Sequence, residues 1–112
     1  MSLDVRTVGD VTILAPKGML LGGKETDELQ SKIKELAEAG NRKLLINLGQ
    51  TTFMNSVSLG VLIAGHANYS KRDAKLKLCA VDKKIQSIFV VTKLSLVFEV
   101  FDEEAEALAS FK

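Results

Sequence analysis

The sequence is poor in residues that carry metal, redox or covalent chemistry. Its 112 residues include one cysteine, one histidine, one proline and no tryptophan. The single cysteine, Cys79, forms no internal disulfide, which fits a reducing compartment. We expect it to be a buried, inert thiol in a strand. One histidine and one distant cysteine make no metal-ligand set, so we predict no metal site and no cofactor.

An excess of one charge and long apolar runs are also missing. There are 15 basic and 14 acidic residues, and a net charge of +1 provides no general attraction for nucleic acid or anionic lipid. No apolar run approaches the roughly 20 residues that span a bilayer, and the first residues lack the pattern of a signal peptide. We therefore expect a cytoplasmic protein with no nucleic-acid partner and no direct membrane insertion.

The residues that are present are typical of one globular domain spanning 1–112. The composition is 46% hydrophobic and 26% charged, which argues against disorder. Strand-like runs at 3–8 and 11–16 flank Gly9-Asp10, a two-residue turn signal that predicts an N-terminal antiparallel hairpin.

The rest of the chain alternates helical and strand-like patterns. Helices are predicted at 25–39, at 56–71, after Asp82 and after Asp102; strands are predicted at 43–48, 75–81 and 96–101. The order ββαβαβαβα indicates an α/β fold with a mixed, mostly parallel sheet. Gly60 and Gly65 fall within the second long helix, where each costs about 1 kcal/mol relative to alanine. We expect each to be kept for a close contact with another element or a partner.

The most informative stretch is residues 53–60, Phe-Met-Asn-Ser-Val-Ser-Leu-Gly. It places Ser56 where a strand ends and a helix begins, directly after Asn55, a good N-cap. The first helical N–H groups and the positive end of the helix dipole point towards such a position. A phosphate on Ser56 would be well accommodated.

Residue spacing argues against serine catalysis and against a nucleotide-binding loop. His66 lies ten residues beyond Ser56 on the same predicted helix, about 15 Å of rise, so the two form no catalytic dyad within one subunit. The glycines at 18, 22 and 23 lack both nucleotide-binding spacings, and we interpret them as a strand-to-helix turn. Whether a nucleotide binds near Gly22–Lys24 stays open. An enzyme is the least favoured class.

The stretch 53–62 resembles the signature of STAS-domain anti-sigma factor antagonists, acidic-Ser-Ser/Ala-Gly-Leu-Gly after a strand. The N-terminal hairpin, the Gly18 turn, the strand ending near Leu48, the segment Cys79-Ala80-Val81 and the final acidic helix follow the family's order. The resemblance implies a STAS fold and a binding protein. Such proteins bind an anti-sigma serine kinase, a histidine-kinase-like ATPase, when unphosphorylated, and phosphorylation of the motif serine reverses this.

Carried over to this chain, the resemblance implies Ser56 as the phosphoacceptor, with Ser58 as second choice, and a cognate phosphatase as a further partner. We expect a monomer or weak dimer. The implied partner-binding residues lie in two segments: Met19, Leu21, Asn55, Ser56, Val57, Ser58, Leu59 and Gly60.

Several of these residues depart from the family pattern. Asn55 replaces an acidic residue, Val57 a small one and Ser58 a glycine. Met19 and Leu21 stand where the family usually has acidic side chains. These departures motivate an alternative, a constitutive STAS subunit of a larger assembly, such as a stressosome-like scaffold or the small subunit of a lipid-transport ATPase complex.

Overall fold

The computed structural model describes residues 3–112, in which helices pack against a five-stranded sheet. The strands are β1 (Leu3–Val8), β2 (Val11–Pro16), β3 (Gly18–Leu20), β4 (Lys43–Asn47), β5 (Thr51–Met54), β6 (Lys75–Cys79) and β7 (Val100–Phe101). The helices are α1 (Lys24–Glu38), α2 (Ser56–Lys71), α3 (Lys83–Val91) and α4 (Glu104–Ser110), with a 3₁₀ turn at Leu94–Leu96.

The main sheet has the strand order β1-β2-β4-β6-β7. The β1–β2 pair is antiparallel and the other pairs are parallel. Gly9 supplies the left-handed conformation of the hairpin turn, at φ +61°. The predicted α/β class, the N-terminal hairpin and the order of the main elements are confirmed.

Apolar side chains form two core clusters. The larger cluster joins α1, α2 and α3 to the sheet through residues such as Leu29, Leu44 and Leu62. The smaller one includes Ile13, Leu45 and Cys79 together with Ala107 of α4 and Phe111, which directly follows that helix. Cys79 is fully buried, and this burial, with a smaller contribution from the Glu104 carboxylate, raises the pKa of its thiol to about 12. The prediction of a buried cysteine in a strand is confirmed.

The segment before β7 differs from the sequence prediction. A strand was expected over 96–101, but only Val100–Phe101 pair with β6. Lys93 takes a left-handed conformation at φ 64° and the chain continues as a 3₁₀ turn. Phe98 is thereby buried against Phe89, with ring centroids 5.8 Å apart. Tertiary burial of Phe98 has overridden the local strand propensity of its valine and phenylalanine neighbours.

Two short strands were not predicted. β3 and β5 pair in parallel as a separate two-stranded sheet. At three and four residues they are too short to show a periodic pattern. Their pairing matters because it joins the chain around residue 20 to the segment that enters α2.

Candidate partner-binding site around Ser56

The N-terminus of α2 is held by a capping box. The side-chain Oδ1 of Asn55 accepts hydrogen bonds from the backbone N–H groups of Val57 at 3.1 Å and Ser58 at 3.2 Å. In return, the Asn55 N–H donates to Ser58 Oγ at 3.0 Å, and that hydroxyl donates to the Asn55 carbonyl, also at 3.0 Å. Both sides of the motif are satisfied, so the hydroxyl of Ser58 serves the fold itself.

Ser56 lies outside this network. It is the first residue of α2 and is exposed. The orphan N–H groups and the positive end of the helix dipole are closest to this position, and the first turn of α2 carries no acidic residue. An anion on the Ser56 hydroxyl would therefore be stabilised electrostatically and would displace no hydrogen bond of the capping box.

The β3–β5 sheet positions a loop beside Ser56. Met19 lies opposite Phe53 and Leu20 opposite Met54, with Leu20 and Met54 buried. Beyond β3, the Leu21 carbonyl accepts a hydrogen bond from Asn55 Nδ2 at 3.0 Å. Asn55 therefore caps α2 and also ties the loop to the helix.

Four apolar side chains around Ser56 remain exposed, and we call them the apolar rim. The exposed fractions are 53% for Met19, 47% for Leu21, 42% for Phe53 and 55% for Val57. The loop lies so close to α2 that a Cβ atom added to Gly22 would be only 3.1 Å from Val57 Cγ1. The rim is thus one surface contributed by β3, the following loop, β5 and α2.

The rim continues along the outer face of α2. Ser56, Gly60, Ile63 and Ala67 recur at i, i+4, i+7 and i+11, so they share one face of the helix, and all four are exposed. None carries a charge, whereas the solvent face of a surface helix is normally charged or polar. This exposed, uncharged surface is therefore a candidate interaction site.

Gly60 and Gly65 differ in environment. A Cβ on Gly65 would lie 3.0 Å from Ile33 Cγ2 and 3.2 Å from Leu76 Cδ1, so the expected close contact with another element is confirmed there. A Cβ on Gly60 would meet nothing within 4 Å in the described part of the chain. Within residues 3–112, no packing contact therefore requires glycine at position 60.

The structure brings most of the predicted site residues together: Met19, Leu21, Asn55, Ser56, Val57 and Gly60. Ser58 and Leu59 are buried, at 0% and 8% exposure. Phe53 and Ile63 are exposed beside the site, but sequence reasoning did not assign them to it. Pairing of β3 with β5 would have identified Phe53. Ile63 gave no signal, since the apolar residues of α2 are not confined to one face of the helix.

Other chemistry does not converge on Ser56. The His66 ring packs edge-on against Phe98, with centroids 5.2 Å apart, so this histidine serves helix packing. Among residues 3–112, no three His, Cys, Asp or Glu side chains cluster in a way that could hold a metal ion. In the same range, no helix combines the length and apolar character needed to cross a membrane.

The sequence matches the profile of the STAS domain over residues 2–107. The protein belongs to the STAS domain family. BtrV of Bordetella bronchiseptica, described as a candidate anti-sigma factor antagonist, is 20% identical to this STAS protein over 112 residues, covering 100% of this chain and 96% of BtrV.

Solved structures support the same fold. A Thermotoga maritima protein described as a candidate anti-sigma factor antagonist superposes with a TM-score of 0.90 at 22% identity, covering 96% of this chain and 92% of that one. The Bacillus cell-fate determinant SpoIIAA in its phosphorylated form gives a TM-score of 0.79 at 15% identity, covering 98% of this chain and 99% of that one. The chain therefore has the fold of an anti-sigma factor antagonist.

Proposed function

We propose that this STAS protein is a phospho-switchable binding module that antagonises an anti-sigma factor. In its unphosphorylated form it binds an anti-sigma serine kinase, a histidine-kinase-like ATPase. Phosphorylation of Ser56 releases it, and a cognate phosphatase restores binding. The observation that carries the proposal is the exposed Ser56 hydroxyl, at the first residue of α2, within an uncharged and largely apolar surface.

The apolar rim and the outer face of α2 are the proposed contact surface. Met19 and Leu21 occupy positions that are usually acidic in the family, so the surface facing them on the kinase should be apolar rather than basic. The absence of a side chain at Gly60 lets a partner approach the α2 backbone closely, which explains a glycine that no contact within the described chain requires.

A phosphate on Ser56 works as a switch for electrostatic reasons. It adds a charge of about −1.5 to −2 and three acceptor oxygens. In the free protein, the α2 N-terminus stabilises this charge. In the complex, the same charge would be buried against apolar groups, which is costly unless it is paired. Release therefore needs no refolding of the STAS domain.

Ser56 is the proposed phosphoacceptor in preference to Ser58. The Ser58 side chain is fully buried, and its hydroxyl accepts a hydrogen bond from the Asn55 N–H and donates one to the Asn55 carbonyl. A kinase would have to open the first turn of α2 to reach it. Ser56 is reached without any such change.

A kinase assay tests the proposal. The histidine-kinase-like ATPase encoded nearest this protein's gene is incubated with the purified STAS protein and ATP, and the labelled residue is mapped by mass spectrometry. We expect one phosphate on Ser56 and none on the Ser56→Ala variant. Ser70, an exposed serine near the other end of α2, is the matched control and should stay unlabelled. Labelling at neither Ser56 nor Ser58, together with a lack of binding to the ATPase, would refute the proposal.

A second candidate is a constitutive subunit of a larger assembly. The exposed apolar rim favours it, because a surface this apolar suits a permanent contact. Stable co-purification with a transporter ATPase or a high-mass particle, unaffected by Ser56→Asp, would support this function over the switch. Loss of the complex on Ser56→Asp would support the switch.

A further inference from the structure

The two edges of the main sheet are protected to different degrees. β7 contributes an edge of two residues, whereas β1 contributes one of six. Proteins protect long edge strands with proline, charged side chains (lysine above all), bulges or a covering element. β1 contains neither proline nor lysine, and its register with β2 runs without a bulge from Leu3 to Val8. Its two charged side chains, Asp4 and Arg6, have opposite signs, so they do not repel every partner strand. The β1 edge is therefore open to another strand.

The hairpin register shows which backbone groups face outwards. Val8 and Val11 close a two-residue hairpin, and such a closing pair exchanges both of its hydrogen bonds. Hydrogen-bonded pairs alternate along an antiparallel ladder, so Arg6 and Asp4 also bond to β2. The N–H and carbonyl groups of Leu3, Val5 and Thr7 then point away from the sheet. Pro16, which has no N–H, lies opposite Leu3 as this pattern requires.

We propose that β1 pairs antiparallel with β1 of a second copy, about a two-fold axis at Val5. In this register Val5 pairs with Val5 of the second copy through their outward N–H and carbonyl groups. Leu3 and Thr7 form the flanking hydrogen-bonded pairs. The two sheets would join into one continuous sheet across the axis.

Charge complementarity selects this register. With the axis at Val5, Asp4 of each copy lies opposite Arg6 of the other. Moving the axis by one residue places Asp4 opposite Asp4 or Arg6 opposite Arg6, and like charges directly opposite are unfavourable. Within each copy, Asp4 also pairs with Lys17 at 3.3 Å and Arg6 pairs with Glu104. Across the interface the charges would thus alternate in sign: Lys17 and Asp4 of one copy, then Arg6 and Glu104 of the other.

The space beside β1 suits a second strand. A groove of about 620 Å³ lies between β1 and α1, and Leu3 and Val5 contribute to its lining. Val5 is 45% exposed. Since one short strand pair buries less area than a standard stable interface, we expect a weak dimer that forms as the protein concentration rises.

Sedimentation velocity over a range of protein concentrations tests the dimer, with charge variants to test its register. Asp4→Arg alone and Arg6→Asp alone each place like charges opposite one another, so each should dimerise about tenfold or more weakly than the unmodified protein. The double variant Asp4→Arg/Arg6→Asp restores opposite charges and should dimerise again. An equimolar mixture of the two single variants should form heterodimers, because every charged pair across the axis is then complementary.

Amide hydrogen exchange gives a readout that needs no substitution. The Val5 N–H should exchange more slowly at high protein concentration, whereas the Arg6 N–H, already bonded to β2, should not change with concentration. Thermal melts of the variants check that each remains folded. A monomer at all concentrations, with Val5 exchange independent of concentration, would overturn the proposal. Dimers equally strong in both single variants would overturn the register.

Discussion

The inner and outer faces of α2 carry the same kinds of residue in opposite environments. Ser58, Leu62 and Gly65 on the inner face are buried, whereas Ser56, Ile63 and Gly60 on the outer face are exposed. Each inner residue has an identified packing or capping contact within the fold, and the outer ones face solvent. Residue type alone therefore does not separate structural positions from candidate binding positions on this helix; the direction of each side chain does.

The largest expected contrast is between Leu62 and its neighbour Ile63. Leu62→Ala removes a fully buried side chain and should lower the free energy of unfolding by about 3 kcal/mol. Ile63→Ala, at a side chain that is 40% exposed, should change it by no more than about 0.5 kcal/mol but weaken kinase binding roughly fivefold or more. Urea unfolding and binding titrations measure the two effects. Equal losses of stability would mean that Ile63 is a core residue.

The two glycines give the next contrast. Gly65→Ala forces a methyl group against Ile33 and Leu76, and we expect a loss of about 2 kcal/mol in unfolding free energy. Gly60→Ala has free space and better helix propensity, so it should stabilise the fold by about 0.5 to 1 kcal/mol while weakening partner binding. Chemical denaturation of both variants tests this. A destabilised Gly60→Ala protein would refute the assignment of Gly60 to a binding role.

Tyr69, also on the inner face, should make the folded state less stable at alkaline pH. Burial raises the pKa of its phenol to about 12, against a smaller opposing effect of Arg72. The unfolded chain ionises at about pH 10, so the stabilisation by Tyr69 is complete below pH 10 and is lost as the pH rises from 10 towards 12.

Tyr69→Phe tests this assignment. At pH 8 the variant loses the hydrogen bond from the phenol to Asn41 Oδ1, 2.9 Å long, and about 1 to 2 kcal/mol of stability. Above pH 10 this difference in unfolding free energy should shrink. Both the variant and the unmodified protein retain Cys79, so its ionisation at alkaline pH cancels in the difference between their unfolding free energies. A difference that is constant from pH 8 to 11 would contradict the burial effect.

The two serines give the smallest contrast. Ser58→Ala removes one side of the capping box and should cost about 1 kcal/mol, whereas Ser56→Ala should leave the unfolding free energy within about 0.5 kcal/mol of the unmodified protein. Thermal unfolding measures both. Equal costs at the two positions would place Ser56 within the capping network.

Local signals predicted much of the fold. Asn55 is a strong N-cap, and the pattern that follows it predicted α2 as residues 56–71, the observed bounds. The hairpin at Gly9-Asp10 and the N-cap at Asp82 were found for the same reason, because the signal lies within a few residues of the structure it specifies. β3, β5 and the shortened β7 were missed because their conformations depend on contacts distant in sequence.

The sequence placed the centre of the candidate site, whereas its boundary depends on the folded surface. The family resemblance pointed to Ser56, and capping logic gave its place on α2. The same logic did not separate the exposed Ser56 from the buried Ser58, since both lie in the first helical turn. Phe53 and Ile63 join the candidate site only in the folded structure, because exposure of an apolar side chain is a property of the folded surface.

The central claim, a charge switch at Ser56, is tested most directly by titrating the partner kinase with the STAS protein before and after phosphorylation at Ser56. Ser70→Asp, which adds a negative charge at an exposed position near the other end of α2, is the matched control. We predict that phosphorylation weakens binding about 100-fold or more, roughly 3 kcal/mol, while Ser70→Asp leaves the affinity unchanged. Equal affinity of the phosphorylated and unphosphorylated forms would contradict the account.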